Sequence, residues 1–141
     1  MPPLKVLVID DDWKTTKLIR MNLEGYGFEV TEAGTGEDCL RMLKAGGVHL
    51  VLLDLNLPDL SGWDVLAVLK STEDLRDLPV IIISVEPPNR ALATRFGPED
   101  YIEKPFDVRE LVARIGKIVK DRYGHDGFQA KSLNCREGGA A

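Results

Sequence analysis

No apolar run in this sequence approaches the roughly 20 residues that a membrane-spanning helix needs, and no basic leader followed by an apolar segment is visible. No membrane attachment is therefore expected, and a cytoplasmic location is. Cysteine is scarce: Cys39 and Cys135 are too few for a disulfide framework or a zinc site, and Cys39 falls in a helical pattern and reads as core. Basic residues are in deficit. Against 23 Asp and Glu stand 18 Lys and Arg, for a net charge of −5. That mild acidity argues against direct nucleic-acid binding by this domain. A glycine-rich phosphate loop is also lacking. Where one would follow the first strand, Asp10, Asp11 and Asp12 stand in a row and would repel a phosphate in the absence of a metal.

What is present is enough for one globular domain: 141 residues, 44% of them hydrophobic. Short apolar runs at Leu4–Ile9, Phe28–Thr31, Leu50–Leu53, Val80–Ser84 and Tyr101–Ile102 alternate with amphipathic stretches. Several runs are rich in Val and Ile without alternation, the pattern of strands buried on both faces of a parallel sheet. Helices are predicted over Lys14–Tyr26, Gly36–Ala45, Ser61–Ser71 and Val108–Tyr123, with Ser61 as a cap. Residues 89–96 allow only a short helix, since Pro87 and Pro88 forbid one just before it. The order βαβαβαβαβα implies an α/β fold, a parallel sheet covered on both faces. Residues 1–123 form the domain; residues 124–141 lose the pattern and are expected to be a flexible tail, with an expression remnant as one source of it.

In open α/β sheets, ligands sit beyond the carboxyl ends of the strands. Strand one ends in Asp10 and Asp11, strand three in Asp54 and strand four in Ser84, and Lys104 follows strand five. Clustered carboxylates need a cation or protons. Mg²⁺ suits them best, because it binds through one or two carboxylates, keeps waters and accepts a phosphate oxygen. A carboxylate can also attack phosphorus. Lys104 would neutralise phosphoryl oxygens and Ser84 could donate to one. Asp12 reads as the start of a helix, and Asp59 and Asp64 as loop and cap residues. His49 and His125 read as unrelated to the site.

The segments "VLVIDDD", "LVLLDLNLPDLSGWD", "VIIIS" and "DYIEKPFD", in this order and at these separations, resemble the receiver domain of two-component response regulators, the chemotaxis regulator among them, over residues 4–122. The resemblance implies a flavodoxin-like, doubly wound (βα)5 fold with a five-stranded parallel sheet in the order 2-1-3-4-5. It implies that Asp54 accepts a phosphoryl group from a histidine kinase, and that Asp10 and Asp11 hold Mg²⁺, with Asp11 the direct ligand. Asn56 matches the position whose backbone carbonyl meets the metal. Ser84 and Tyr101 match the switch pair, Lys104 the family's lysine, and a cis Lys104–Pro105 bond is expected. Such a domain is a signalling switch, promoting only its own phosphorylation and dephosphorylation. Its output runs through the face of the fourth helix, fifth strand and fifth helix, which in some members also forms a homodimer. Arg109, Glu110 and Arg114 resemble the charged pattern of such dimers; a solvated face is the other reading.

The sequence departs from the family in places. Val85 stands where a small residue is usual and is expected to narrow access to Asp54. Asn56 and Glu86 occupy positions that tune the lifetime of the aspartyl phosphate and match the chemotaxis regulator, which points to a short-lived mark; Val85 pulls the other way. The fourth helix is expected to be short or irregular. A haloacid-dehalogenase-type phosphatase would need an Asp at position 56 and a cap domain. A flavodoxin-like FMN or nucleotide binder would need the missing phosphate loop. Within the receiver reading, the chain is either a stand-alone switch with an unknown output partner or the receiver piece of a longer DNA-binding regulator.

Overall fold

The structure, a computed structural model describing residues 3–124, carries the ten expected elements. They are β1 (Lys5–Ile9), α1 (Trp13–Gly25), β2 (Glu29–Ala33), α2 (Gly36–Lys44), β3 (Leu50–Leu53), α3 (Gly62–Ser71), β4 (Val80–Ser84), α4 (Arg90–Phe96), β5 (Asp100–Glu103) and α5 (Val108–Tyr123). All paired strands are parallel, in the order β2-β1-β3-β4-β5. This is the flavodoxin-like doubly wound sheet that the resemblance implied.

Successive side chains of a strand point to opposite faces, so each central strand serves two cores. Val6, Val8, Leu50, Leu52, Ile81 and Ile83 pack with Ile19 and Leu23 of α1 and with Leu111, Ile115 and Val119 of α5. Leu7, Ile9, Val51, Leu53, Val80 and Ile82 pack with Cys39 and Leu43 of α2 and with Val65, Leu66 and Leu69 of α3. Hence β1, β3 and β4 are apolar almost throughout. The Cys39 thiol is wholly enclosed, and burial pushes its pKa up to about 12.

The edge strand β2 behaves differently. It begins at Glu29 rather than Phe28 and runs on to Ala33, pairing Lys5↔Glu29 through Ile9↔Ala33 with β1. An edge strand needs no continuous apolar run, so hydropathy alone misplaces its ends. Phe28 is buried just ahead of it. At the other edge, β5 extends one residue beyond the apolar pair Tyr101–Ile102 on each side.

Side-chain caps start the helices. Asp12 accepts from the Lys14 N–H, Ser61 from Trp63, Asn89 from Leu92 and Asp107 from Arg109. The helix α4 is the short element foreseen: seven residues, none of them buried, begun after the two prolines and ended by left-handed Gly97. The Lys104–Pro105 bond is cis.

At the amino edge of the sheet the end of α5 is tied to three loops. The Tyr123 hydroxyl donates to the His49 carbonyl (2.6 Å), Arg122 donates to the Asp77 carbonyl (2.8 Å), and Arg122 also pairs with Glu99. His49 sits edge-on to the Tyr123 ring, and its Nδ1 accepts from the Lys5 N–H at 2.9 Å. Gly124 closes α5 in a left-handed cap. The rest of the expected tail, with His125 and Cys135, lies outside the described residues. Among the described residues, no helix is long and apolar enough to cross a membrane.

Candidate functional site

The sheet's own hydrogen bonds carry the polar residues to one rim. Just past the strand ends, the Asp10 N–H donates to Ala33 O, Asp54 N–H to Ile9 O and Lys104 N–H to Ser84 O. Backbone pairing thus fixes Asp10, Asp54, Ser84 and Lys104 against one another before any side chain is considered.

The carboxylates of Asp10, Asp11 and Asp54 each present an oxygen, and these three atoms lie within 4.8 Å of one another. Asp10 and Asp54 are buried, 6% and 5% exposed, while Asp11 faces solvent. The Lys104 ammonium lies between the two buried acids, 2.6 Å from Asp10 Oδ2 and 3.2 Å from Asp54 Oδ2. Their other oxygens accept backbone N–H groups: Asp12 on Asp10 Oδ1 (2.9 Å) and Asn56 on Asp54 Oδ1 (3.1 Å). Burial raises the Asp10 pKa, and the nearby Asp54 charge adds to this, although Lys104 and the Asp12 N–H work against it. Burial alone would lower the Lys104 pKa. Its bond to Asp10 and the charges of Asp10 and Asp54 outweigh that and hold it above its usual value, so it stays an ammonium.

Three carboxylates facing one ammonium leave two negative charges uncompensated when all are ionised. The donor set is all oxygen, compact, and open to water on the Asp11 side. This fits a hard divalent cation such as Mg²⁺, which keeps waters and takes few protein ligands.

Ser84 is wholly enclosed at the end of β4, and its Oγ accepts from the Glu86 N–H (3.2 Å). On the next strand, Tyr101 is half-buried and donates its hydroxyl to the Glu86 carbonyl at 2.7 Å. Burial raises its pKa, offset in part by the Ser84 hydroxyl. The expected switch pair therefore meets at the β4–α4 loop. Val85 is 63% exposed. Asn56 and Glu86 line an open groove of about 800 Å³ that reaches Asp11 and is walled by Leu60, Trp63 and Leu92. Trp13 stands 65% exposed beside the Asp12 cap. Arg114 is engaged within the chain by Asp100, the Tyr101 carbonyl and Glu110, and Arg109 by Asp107. Asp64 lies in the first turn of α3, and His49 is at the opposite edge of the sheet.

Two features escaped the sequence. The bond between Tyr101 and Glu86 follows from loop geometry. Asp59, read there only as a loop or cap residue, caps α2 across a gap of 23 residues. Asp in a Pro-containing loop was the one available hint.

An acidic cluster bridged by a lysine, at the carboxyl rim of a five-stranded doubly wound sheet, is the architecture of a receiver-type signalling domain. The sequence profile of the response regulator receiver domain matches residues 6–116, and the chain belongs to that family. It is 36% identical over 122 residues to the cell cycle transcriptional regulator CtrA of Caulobacter vibrioides, a match covering 86% of this chain and 53% of that protein. The chain thus spans about half the length of the curated relatives it matches. Among solved structures it resembles the receiver domain of the Francisella response regulator 1452, with a TM-score of 0.76 and 30% identity over 84% of this chain and 98% of that one. The BeF3-activated DrrB receiver domain gives a TM-score of 0.74 and 29% identity, again over 84% and 98%.

Proposed function

We propose that Asp54 is the phosphoacceptor of this response regulator receiver domain and that a histidine kinase is the donor. The observation that carries this is the pair of contacts from Lys104 to Asp10 and Asp54 beside exposed Asp11, which together make a nucleophile, a cation seat and a fixed positive charge at one rim. The Asp54 carboxylate attacks the phosphorus of phosphohistidine in line. A P–O bond forms, the P–N bond breaks, and the imidazole leaves with the bonding pair. Asp10, Asp11, Asp54 and the Asn56 backbone carbonyl would hold Mg²⁺, which would neutralise charge on the phosphoryl oxygens. Lys104, bonded to both Asp10 and Asp54, would stabilise the same oxygens.

Phosphorylation then offers Ser84 a new acceptor. If its hydroxyl turns to the phosphoryl group, the Glu86 N–H loses its partner, and the β4–α4 loop and the Tyr101 bond must rearrange with it. The face of α4, β5 and α5 reports the change to an output partner, or to a second copy through a homodimer. The domain catalyses no turnover beyond its own phosphorylation and dephosphorylation, with Asn56 and Glu86 tuning the lifetime of the mark. It acts in the cytoplasm, contacts no membrane and does not itself bind nucleic acid. The domain spans residues 1–123 of the chain.

Incubation with acetyl phosphate and Mg²⁺, followed by intact-mass and peptide analysis, tests the assignment. One phosphoryl group on Asp54, lost in Asp54→Asn, is expected; a label elsewhere overturns it. Val85 narrows the approach to Asp54, so Val85→Ala labels faster in the same assay. A second reading rests on the half-length match to a transcriptional regulator: the chain works as the receiver piece of a longer DNA-binding protein. Size measurement with BeF₃⁻ and Mg²⁺ separates a monomeric switch from one that dimerises on phosphorylation.

A further inference from the structure

The loop from Leu55 to Ser61 is held from outside as well as by its ends. The Asp59 carboxylate reaches across to α2. Its Oδ1 accepts from the Gly36 N–H at 2.8 Å and from the Leu60 N–H at 2.9 Å, and its Oδ2 accepts from the Glu37 N–H at 3.0 Å. The helix α2 is therefore capped twice. Thr35, its neighbour in sequence, takes the Asp38 N–H at 3.1 Å, and Asp59 takes the two N–H groups before it. Leu60 seals the junction by lying over Gly36. A Cβ on Gly36 would come 2.9 Å from Leu60 Cδ1 and 3.1 Å from Val65 Cγ2.

The other end of the loop is fixed to the acidic site. The Asn56 N–H bonds Asp54 Oδ1 at 3.1 Å, and a bridge between Asn56 and Ser61 closes the loop on itself. The frame thus has Asp54 and Asn56 at one end and the first turn of α2 at the other. Pro58 and Leu60 between them form a wall of the groove that opens at Asp11. Without Asp59, this frame would keep the Asn56–Ser61 bridge but lose its hydrogen-bonded anchorage to α2.

We infer that Asp59 is a positioning residue for the acidic site: by strapping the β3–α3 loop to the first turn of α2, it holds the segment bearing Asn56 in place beside Asp54. This rests on the proposed role of the Asn56 carbonyl as a Mg²⁺ ligand. Asp59 acts through backbone geometry and touches neither the phosphoryl group nor the metal. A cation that depends on the placement of one carbonyl is sensitive to such outer support.

Titration with MgCl₂, followed by the fluorescence of Trp13 at the rim and Trp63 in the groove, provides the test, with urea unfolding of each variant alongside. Asp59→Ala is expected to weaken Mg²⁺ binding on the order of tenfold. Asp59→Asn keeps an oxygen that can accept part of the strap and is expected to fall between; it also carries the comparison should the alanine variant fail to fold. Thr35→Ala frees the other capped N–H of α2 without touching the loop. It is expected to lose stability and to bind Mg²⁺ as the wild type does. Wild-type affinity in both Asp59 variants, or an equal loss in Thr35→Ala, overturns the inference. Absence of Mg²⁺ binding by the wild-type chain overturns the metal reading itself, and this inference with it.

Discussion

At the scale of single residues, His49 shows how one contact couples stability to pH. Its Nδ1 accepts the Lys5 N–H, so the neutral ring carries its proton on the other nitrogen. Burial lowers its pKa from 6.5, and the Lys5 charge lowers it further. The Tyr123 ring stands edge-on to it, and Glu29 lies 3.9 Å from the Lys5 ammonium. Because the folded state holds the proton less tightly, the unfolded state gains it first as pH falls below 6.5. Stability from this group is complete above that pH and declines until the lower folded pKa is passed. Urea unfolding between pH 7 and 5 is expected to show this decline in the wild type and a flatter profile in His49→Phe. Equal slopes would count against the contact. No spacing rule announces such a residue: His49 precedes a strand, and its partners are 44 and 74 positions away. Asp10 and Asp54, by contrast, were legible because each directly follows an apolar run, and Lys104 because it follows the short run Tyr101–Ile102 after one intervening residue; parallel pairing brings run ends together.

Among elements, α3 approaches the end of β3 too closely for a side chain at its first residue. Gly62 begins α3, and a Cβ there would lie 2.5 Å from the Asp54 carbonyl oxygen and 2.7 Å from Leu55 Cα. Both are backbone atoms that cannot swing aside. Gly62→Ala is expected to destabilise the fold by about 1–3 kcal/mol, as overpacking does, and to slow Asp54 labelling by displacing its backbone. Urea unfolding and the acetyl-phosphate assay read the two effects; unchanged values in both would refute the close approach. The helices and buried strands were visible in the sequence through their 3.6-residue stripes and continuous Val and Ile runs. The limits of β2 were not, because an edge strand bonded on one side is bounded by pairing rather than hydropathy. The short α4 was foreseen from Pro87 and Pro88, which remove backbone donors and block the preceding turn. What it packs against was not foreseen: Phe96 rests beside Trp63 of α3, ring centroids 6.0 Å apart.

For the whole molecule, the acidic rim is a stability term that depends on the medium. Two uncompensated negative charges oppose folding until a cation joins them, so Mg²⁺ at a hundred times its Kd is expected to stabilise the chain by about 2.7 kcal/mol. Thermal melts with and without EDTA read this. Asp11→Ala should lose the Mg²⁺ shift, yet without metal it should melt at or above the wild type, since a repelling charge has gone. A metal-free variant less stable than the wild type would contradict the electrostatic account. The last helix joins this rim to the rest of the molecule. It starts three residues after the cis Lys104–Pro105 bond and runs 16 residues, roughly 24 Å at 1.5 Å per residue, to the clamp that Arg122 and Tyr123 make with Asp77, Glu99 and His49. It therefore works as a strut: a tilt imposed where Lys104 sits must either break that clamp or swing the far loops at the amino edge of the sheet with it.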